Sequence, residues 1–253
     1  MSPNWTRRSH NSTQPASIAA FFLRIRPLEP GAAVATSRVA FPCGSSPLHA
    51  MSNHDTAQRT FNWRAELPVL SGRVVALREP VAGDLEAILD LLSVPDATRF
   101  GRHGSLSAAA VQDLIDRAAR DRSAGVAFTY VITFGATGEV VGLLQVRQLV
   151  PTFETAAWDC TLAPHARGTG AFFDAARLAG SFAFASTGTS RLEARIDVDN
   201  GRAAAALRKL GGAREGVLRR SARRGHEYVD QGLWAVLKDS WEYGSTAQAV
   251  VVH

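Results

Sequence analysis

The hydrophobic pattern changes period several times along the chain, and each change marks a predicted element. Runs with the short period of a β-strand occupy seven segments: 73–79, 126–134, 139–150, 155–163, 191–198, 213–221 and 226–237. Apolar residues at helical spacing occupy four segments: 84–93, the stretch after Ser105 or Ser107, 171–185 and 200–212. This alternation of strands and helices predicts one α/β domain, which we place at residues 70–243.

Polar residues and glycines mark the ends of these elements. Asp84 and Asn200 are the predicted N-caps of the first and last helices, because a short polar side chain can accept a bond from a free N–H of the first turn. Gly211 follows two basic residues and is the predicted left-handed terminator of the last helix. Residues 222–225 are predicted to form the turn of a final hairpin.

Positive charge is concentrated outside the predicted domain. The first 50 residues contain five arginines and one acid, Glu29, so they account for +4 of the formal net charge of +5. A nucleic-acid-binding domain concentrates Lys and Arg on a folded face, so this distribution argues against a nucleic-acid partner. The chain has no run of about 18 apolar residues, which argues against a membrane partner.

Residues 1–60 are predicted to be a disordered N-terminal extension, because they are rich in Pro, Ser, Gly and Ala without a sustained period. Their arginine-rich, acid-poor character is also typical of a transit peptide. The interpretation we favour is an over-long start, with Met51 as the natural first residue. Residues 244–253 are predicted to be a C-terminal tail.

Two cysteines, Cys43 and Cys160, provide no disulfide framework. They indicate a reducing compartment, and we expect a cytoplasmic protein.

A glycine-rich turn, Arg167-Gly168-Thr169-Gly170-Ala171, precedes the third helix. A helix start attracts anions because its first N–H groups lack intrahelical partners and the helix dipole is positive there. The glycines remove Cβ atoms that would keep a phosphate away, and the arginine adds hydrogen-bond donors. The segment therefore predicts a phosphate or pyrophosphate cradle, with simple turn geometry as the alternative.

Four segments carry a resemblance to a known family: LREPVAGD at 77–84, LAPHARGTGA at 162–171, the stretch 191–220 and DQGLWAVLKDSW at 230–241. The chain resembles the GNAT superfamily of acetyl-CoA-dependent N-acetyltransferases, whose pyrophosphate loop reads Q/R-x-x-G-x-G/A. Its closest likeness is to the branch that includes ribosomal-protein N-terminal acetyltransferases. A Rossmann fold disagrees with the element order, because its glycine-rich turn follows the first strand and this turn follows the fourth.

The resemblance implies a GNAT-like mixed, largely antiparallel sheet of about seven strands flanked by about four helices. It implies acetyl-CoA as cosubstrate and no metal, with the coenzyme held between diverging strands at 156–162 and 191–197. The implied coenzyme-binding residues are Trp158, Cys160, Thr161, Leu162, Arg167, Gly168, Thr169, Gly170, Ala171, Asn200, Arg202 and Arg208. Two residues depart from the family pattern: Phe172 stands where the loop has Gly or Ala, and Ala203 stands where the branch often has a serine.

Three residues are the candidates for catalysis. Asp159 and Glu193 belong to the two diverging strands and are candidates for the base that takes a proton from the amine. Each is also interpretable as a solvated or salt-bridged residue, because a carboxylate needs a raised pKa to act near neutral pH. Tyr228 is a candidate acid for the leaving thiolate, with an aromatic core residue as its alternative. Asp230 and His165 are further candidates for the base.

These observations predict an N-acetyltransferase that moves an acetyl group from acetyl-CoA to a primary amine by direct attack in a ternary complex. The expected acceptor is a protein N terminus or a small-molecule amine, and the expected assembly is a monomer or a homodimer. The alternative function is a non-catalytic acyl-CoA-binding sensor or regulatory domain that kept the cradle.

Overall fold

A computed structural model describes residues 62–93, 107–224, 227–243 and 249–250. The strands are β1 Val69–Ser71, β2 Val75–Arg78, β3 Ala127–Phe134, β4 Val140–Gln148, β5 Thr155–Leu162, β6 Arg191–Asp197, β7 Ala213–Arg224, β8 Glu227–Leu237 and β9 Ala249–Val250. The helices are α1 Leu85–Ser93, α2 Ala108–Ala124, α3 Ala171–Ser186 and α4 Gly201–Lys209. Short 3-10 turns occupy Ala82–Asp84, Pro164–Ala166 and Lys238–Ser240.

The described strands form a single nine-stranded sheet in the order β7-β8-β6-β5-β4-β3-β2-β1-β9. Every neighbouring pair is antiparallel except β5 and β6, which are parallel. This confirms the predicted α/β fold with a mixed, largely antiparallel sheet and four helices. The two additional strands are β1 and β9, whose three and two residues are too short to show a period.

Helices pack on both faces of the sheet, which explains why β3 and β4 are almost continuously apolar. On one face, Phe182 of α3 contacts Phe128 and Tyr130 of β3 edge to face, with ring centres 5.3 and 6.0 Å apart. On the other face, α1 and α2 pack against β3 and β4 through a second apolar cluster: Ile88, Leu91, Leu92, Val111, Leu114, Ile115, Val131, Leu143 and Ala163. The sheet is therefore the middle of three layers.

Asp174, in the first turn of α3, ties that helix to the start of β2. Its carboxylate accepts hydrogen bonds from the N–H groups of Val74 (2.8 Å) and Val75 (3.2 Å) and from the Arg177 guanidinium (3.1 Å). Gly72 makes room for this contact, because a Cβ at that position would overlap the carboxylate. Burial acts to raise the pKa of Asp174, but the three bonds outweigh it and hold the pKa below its ordinary value.

Three helix ends, the start of α2 and both ends of α4, agree with the prediction. Ser107 caps α2, and Asn200 caps α4, each by accepting the N–H three residues ahead at 3.3 and 3.1 Å. Gly211 follows α4 with a φ of 80°, the left-handed conformation expected of a terminator.

The predicted capping role of Asp84 is wrong. Asp84 ends the 3-10 turn that precedes α1, and its carboxylate accepts the N–H of Val81 at 2.8 Å. It also accepts two bonds from the Arg78 guanidinium, at 2.7 and 2.8 Å. Its partners therefore precede it in the chain, and it stabilises the turn before α1 instead of the first N–H groups of that helix.

The predicted position of the hairpin turn at residues 222–225 is also wrong, because β7 continues to Arg224 and Ala222 pairs with Val229 of β8. An irregularity in the register of β7 lies just before this pair, where Arg220 has a φ of 50°. The N–H of Arg220 donates to the carboxylate of Asp230 at 2.7 Å. An extra segment of β7 at this point displaces the turn toward the C terminus.

The predicted extension at residues 1–60, including the start at Met51, lies outside the described residues, as does most of the predicted tail at 244–253. These boundaries stay predictions. In the described part of the chain, no helix is long and apolar enough to cross a membrane.

Candidate active site

Strands β5 and β6 pair for only a short distance before they separate. Residues 155–157 of β5 pair in parallel with residues 191–193 of β6. Beyond them, β5 continues to Leu162 beside β4, and β6 continues to Asp197 beside β8. The sheet therefore contains a gap between the two strands, which begins at Trp158. We call it the β5–β6 gap.

Main-chain groups of β5 that pair with no described strand line this gap. The carbonyl of Thr155 accepts a bond from the segment after β4 (2.8 Å), and the carbonyl of Glu154 accepts one from β6 (3.1 Å). Successive main-chain groups of a strand point to opposite sides, so the N–H and C=O groups of Trp158 and Cys160 point toward β6. Because β6 has separated there, these groups are available to an extended ligand that contains amides.

The turn between β5 and α3 is left-handed at both of its glycines. Gly168 has a φ of 85° and Gly170 a φ of 92°, so turn geometry accounts for part of the glycine requirement. A Cβ on Gly168 would meet no atom within 4 Å, so the turn is open on that side. The first intrahelical hydrogen bond of α3 joins the N–H of Asp174 to the Gly170 carbonyl at 3.0 Å. The N–H groups before Asp174 therefore have no intrahelical partner and point out of the helix end. This end can accept an anion.

Arg167 folds back onto the end of β5. Its Nε and Nη2 donate to the carbonyl of Leu162 at 3.3 and 3.2 Å. Thr169 Oγ1 donates to the Ala166 carbonyl at 2.8 Å and accepts the N–H of Ala171 at 3.3 Å. The arginine therefore holds the turn against the strand, and a phosphate would share its guanidinium with Leu162.

Asp159 extends from the part of β5 that borders the gap. Its side chain is exposed, but nearby protein atoms displace part of its hydration, and this desolvation raises the pKa of the carboxyl above its ordinary value. Arg147 of β4 and Arg195 of β6 lower the pKa without cancelling that effect. A carboxylate with a raised pKa is a better proton acceptor near neutral pH than an ordinary one.

Glu193 and Tyr228 lie on other strands than Asp159, on β6 and β8. Glu193 lies at the last paired position of β5 and β6, and its carboxylate accepts a bond from Arg191 Nε at 2.9 Å. Arg191 also bonds Glu215 of β7 at 2.8 Å, so Glu193 is part of a salt-bridge cluster. Tyr228 lies in the hairpin beyond the residues of β8 that pair with β6, and it is 61% exposed. Their catalytic roles stay predictions.

The two further candidates for the base have partners elsewhere. His165 belongs to the 3-10 turn before the glycines, and its Nε2 lies 3.0 Å from Glu139 Oε1. Asp230 accepts the main-chain N–H of Arg220 in the β7–β8 hairpin. Among the described residues, no group of three or more His, Cys, Asp or Glu side chains is arranged to hold a metal ion.

Cys160 follows Asp159 on β5. Burial, together with the charge of Asp159, raises the pKa of its thiol to about 12. The thiol therefore stays protonated near neutral pH, which is typical of a packed cysteine and not of a nucleophile.

The predicted coenzyme ligands of α4 lie at its two ends. The Asn200 amide caps the helix, and Arg202 is exposed in its first turn. Arg208 stacks on Trp234 of β8, with its guanidinium carbon 5.1 Å from the ring centre. Their predicted coenzyme contacts stay predictions.

One buried polar pair is absent from the predicted site residues. Gln145 of β4 lies directly opposite Asp159 in the β4–β5 register, and its Nε2 donates to Thr129 Oγ1 of β3 at 3.1 Å. Gln145 is only 8% exposed, yet its Oε1 has no hydrogen-bond partner within the described structure. The available signal was a single glutamine inside the otherwise apolar run VVGLLQV.

A family model for the acetyltransferase (GNAT) domain matches residues 75–213. Similar solved structures include Mycobacterium smegmatis RimJ in complex with CoA-disulfide, with 20% identity, a TM-score of 0.60 and coverage of 68% of this chain and 85% of that one. The ribosomal L7/L12 alpha-N-protein acetyltransferase RimL in complex with coenzyme A has 17% identity, a TM-score of 0.63 and coverage of 68% and 99%. A spermidine N-acetyltransferase SpeG chimera from Vibrio cholerae and hSSAT has 18% identity, a TM-score of 0.59 and coverage of 65% and 96%. No curated protein matches the chain.

At these identities the solved structures establish the fold alone. The family model covers more than half of the chain, and its range contains the β5–β6 gap, Asp159 and the glycine turn. The chain therefore belongs to the GNAT acetyltransferase family.

Proposed function

We propose that this protein is an acetyl-CoA-dependent N-acetyltransferase that acetylates a primary amine in a ternary complex. The observation that carries the proposal is the β5–β6 gap, which combines the unpaired main-chain groups of Trp158 and Cys160 with the carboxyl of Asp159 on one strand. A protein N terminus and a small-molecule amine are both proposed acceptors. RimL and the SpeG chimera, which share the fold, are named for one acceptor of each kind.

The residues present fit a coenzyme with a pyrophosphate and an amide-containing arm. The open side of Gly168 and the N–H groups of Phe172 and Phe173 in the first turn of α3 suit the pyrophosphate. The main-chain groups of Trp158 and Cys160 suit the amides of the arm, as a missing strand would. When bound, acetyl-CoA supplies an acetyl group activated as a thioester.

Asp159 is the proposed proton acceptor. An amine must be unprotonated to attack, and it carries an excess proton once the new N–C bond has formed. The raised pKa of Asp159 suits removal of that proton. The thiolate released when the C–S bond breaks would take its proton from solvent or from the protonated Asp159. The proposed attack is direct, and the raised pKa of the Cys160 thiol, about 12, argues against that residue as an intermediate acyl carrier.

The main chain of β5 is the proposed source of carbonyl polarisation. An N–H of Trp158 or Cys160 that points into the gap can donate to the thioester oxygen, and charge on that oxygen increases during attack. Because the donor is a main-chain group held by the β4–β5 pairing, it needs no reorganisation at that moment. A side-chain substitution leaves this main-chain N–H in place. The N–H should therefore still polarise the carbonyl in Asp159→Asn and support the activity that this variant retains.

The proposal is tested by calorimetric titration with acetyl-CoA, followed by measurement of free thiol with tyramine, spermidine and the tripeptide Ala-Ala-Ala. We expect binding, and thiol release that depends on at least one amine and decreases in Asp159→Asn. Binding without release for every amine would favour the sensor alternative. Failure to bind acetyl-CoA would contradict both functions.

A further inference from the structure

Gln145 has a buried acceptor that is not used within the described part of the chain. More than nine-tenths of its surface is buried, and Nε2 is fixed by its 3.1 Å bond to Thr129 Oγ1, whereas Oε1 has no hydrogen-bond partner among the described residues. A buried carbonyl oxygen without a hydrogen bond destabilises the free protein. Such an atom beside a reaction site indicates a donor that arrives with a ligand.

The register places this acceptor beside the site. Gln145 and Asp159 are directly opposite on β4 and β5, so their side chains emerge on the same face of the sheet. Opposite residues of an antiparallel pair have Cβ atoms about 5 Å apart. The two side chains therefore emerge next to each other, so an amine bound at Asp159 lies beside the Gln145 amide.

Resting on the proposed function, we propose that Gln145 orients the acceptor amine. Its Oε1 accepts one N–H of the amine, while Asp159 accepts the proton that leaves. The bond fixes the direction of the nitrogen lone pair toward the thioester in the β5–β6 gap. Thr129 acts on Gln145 alone, by fixing the amide through Nε2.

The charges around Asp159 favour a neutral partner at this position. Arg147 and Arg195 both act on Asp159, so a protonated amine meets two positive groups as well as one carboxylate. The amide oxygen of Gln145 is an uncharged acceptor, which bonds an N–H without adding attraction for an ammonium. The pair Gln145 and Asp159 thus selects the reactive, unprotonated form of the amine.

The test compares Gln145→Met with Thr129→Val in the full chain. Gln145→Met keeps the length and apolar packing of the side chain and removes Oε1, whereas Thr129→Val breaks the same Gln145–Thr129 bond and leaves Oε1 in place. KM and kcat are measured for the fastest of tyramine, spermidine and Ala-Ala-Ala. Acetyl-CoA affinity and melting temperature are measured without amine.

We expect Gln145→Met to raise the amine KM by roughly ten-fold or more, the factor that corresponds to one lost hydrogen bond. Thr129→Val should raise the amine KM by less than about three-fold, which is half of the ten-fold effect on a logarithmic scale. The two variants should lower the melting temperature by similar amounts. Acetyl-CoA affinity should stay the same in both variants.

Equal KM changes in the two variants would show a structural role for the bond, and an unchanged KM in Gln145→Met would show that Oε1 does not contact the amine. Either result overturns the inference and leaves the proposed function standing. Absence of thiol release from the wild-type protein with every amine overturns both.

Discussion

Asp174 lies on the helix α3 and Asp159 on the strand β5, and their surroundings shift their pKa values in opposite directions. Asp174 accepts three hydrogen bonds that tie α3 to β2, and its pKa is held below the ordinary value. Asp159 borders the β5–β6 gap, where desolvation keeps its pKa above the ordinary value despite two nearby arginines. The ionised form is therefore favoured at one position and disfavoured at the other.

The difference separates a carboxylate that stabilises the fold from one that is available for chemistry. Hydrogen bonds that stabilise an ionised carboxylate also reduce its tendency to accept a proton. A desolvated carboxylate that lacks enough hydrogen bonds or nearby positive charge accepts a proton more readily. Its ionised form then makes the folded state less stable. The same substitution, aspartate to asparagine, should therefore have opposite consequences at the two positions.

The largest expected effect is on catalysis. Asp159→Asn should reduce kcat/KM for the amine by about 10²- to 10⁴-fold, the range typical of lost general-base catalysis. Acetyl-CoA affinity should be retained, because the coenzyme contacts proposed for β5 are main-chain groups. Steady-state thiol release and calorimetric titration measure the two quantities.

Glu193→Gln is the matched control for this substitution. Glu193 lies on β6, the strand next to β5, and its carboxylate is bonded to Arg191 of the same strand. We expect a smaller loss of kcat/KM in Glu193→Gln than in Asp159→Asn. A larger loss of kcat/KM in Glu193→Gln than in Asp159→Asn would assign the role of base to Glu193. The contrast between Asp159 and Asp174 would then no longer separate a catalytic from a structural carboxylate.

The next effect concerns a new carboxylate at the start of α3. Gly170→Asp and Gly170→Asn place side chains of the same shape at a position with a φ of 92°, where the nearest atom to a new Cβ is 3.8 Å away. Both variants should lose similar stability through backbone strain. The aspartate alone should repel a pyrophosphate, so its acetyl-CoA affinity should be lower than that of the asparagine variant by roughly 10- to 100-fold.

Calorimetric titration of the two folded variants gives this ratio. Equal affinities would show that the glycine is required by the turn and not by a phosphate. That result would remove the turn from the coenzyme site.

A third effect concerns stability. Asp174→Asn should reduce the free energy of unfolding by about 1–3 kcal/mol, because the asparagine oxygen can still accept the N–H groups of Val74 and Val75, but its NH2 group cannot accept the Arg177 guanidinium and the side chain carries no charge. Asp174 has a lowered pKa, so its contribution is present above the unfolded-state pKa of about 3.9 and is lost as the pH falls through the folded-state value. Urea unfolding at pH 7 and near pH 3 measures both parts. A variant as stable as the wild type at pH 7 would contradict the role of Asp174.

The sequence predicts the frame of the molecule because the frame depends on period. The order of seven strands and four helices, the Ser107 and Asn200 caps and the Gly211 terminator follow from local pattern alone. The role of Asp84 does not, because its partners are Arg78 and Val81, which precede it in the chain instead of following it.

The site is predictable only in part, for the same reason. The glycine turn and Asp159 are visible as residue types next to a strand. The unused oxygen of Gln145 is not, because it depends on which residues of β3 and β5 lie beside it across the sheet. The partner of Arg167 is also a matter of geometry, since a guanidinium suited to phosphate is equally suited to the Leu162 carbonyl.

The smallest expected effect is the stability of Asp159→Asn, and it sharpens the comparison most. The folded-state pKa of Asp159 is raised, so the folded protein binds this proton more tightly than the unfolded chain does. The tighter proton binding stabilises the folded protein. This contribution is fully present below the unfolded-state pKa of about 3.9 and is lost as the pH rises through the folded-state pKa. Asparagine is uncharged at every pH, so Asp159→Asn should be more stable than the wild type at pH 7, and the difference should shrink toward pH 3.5. Melting temperatures measured at half-unit steps of pH test this sign. A variant that is less stable than the wild type at pH 7 would place Asp159 with Asp174, as a carboxylate that the fold requires in its ionised form.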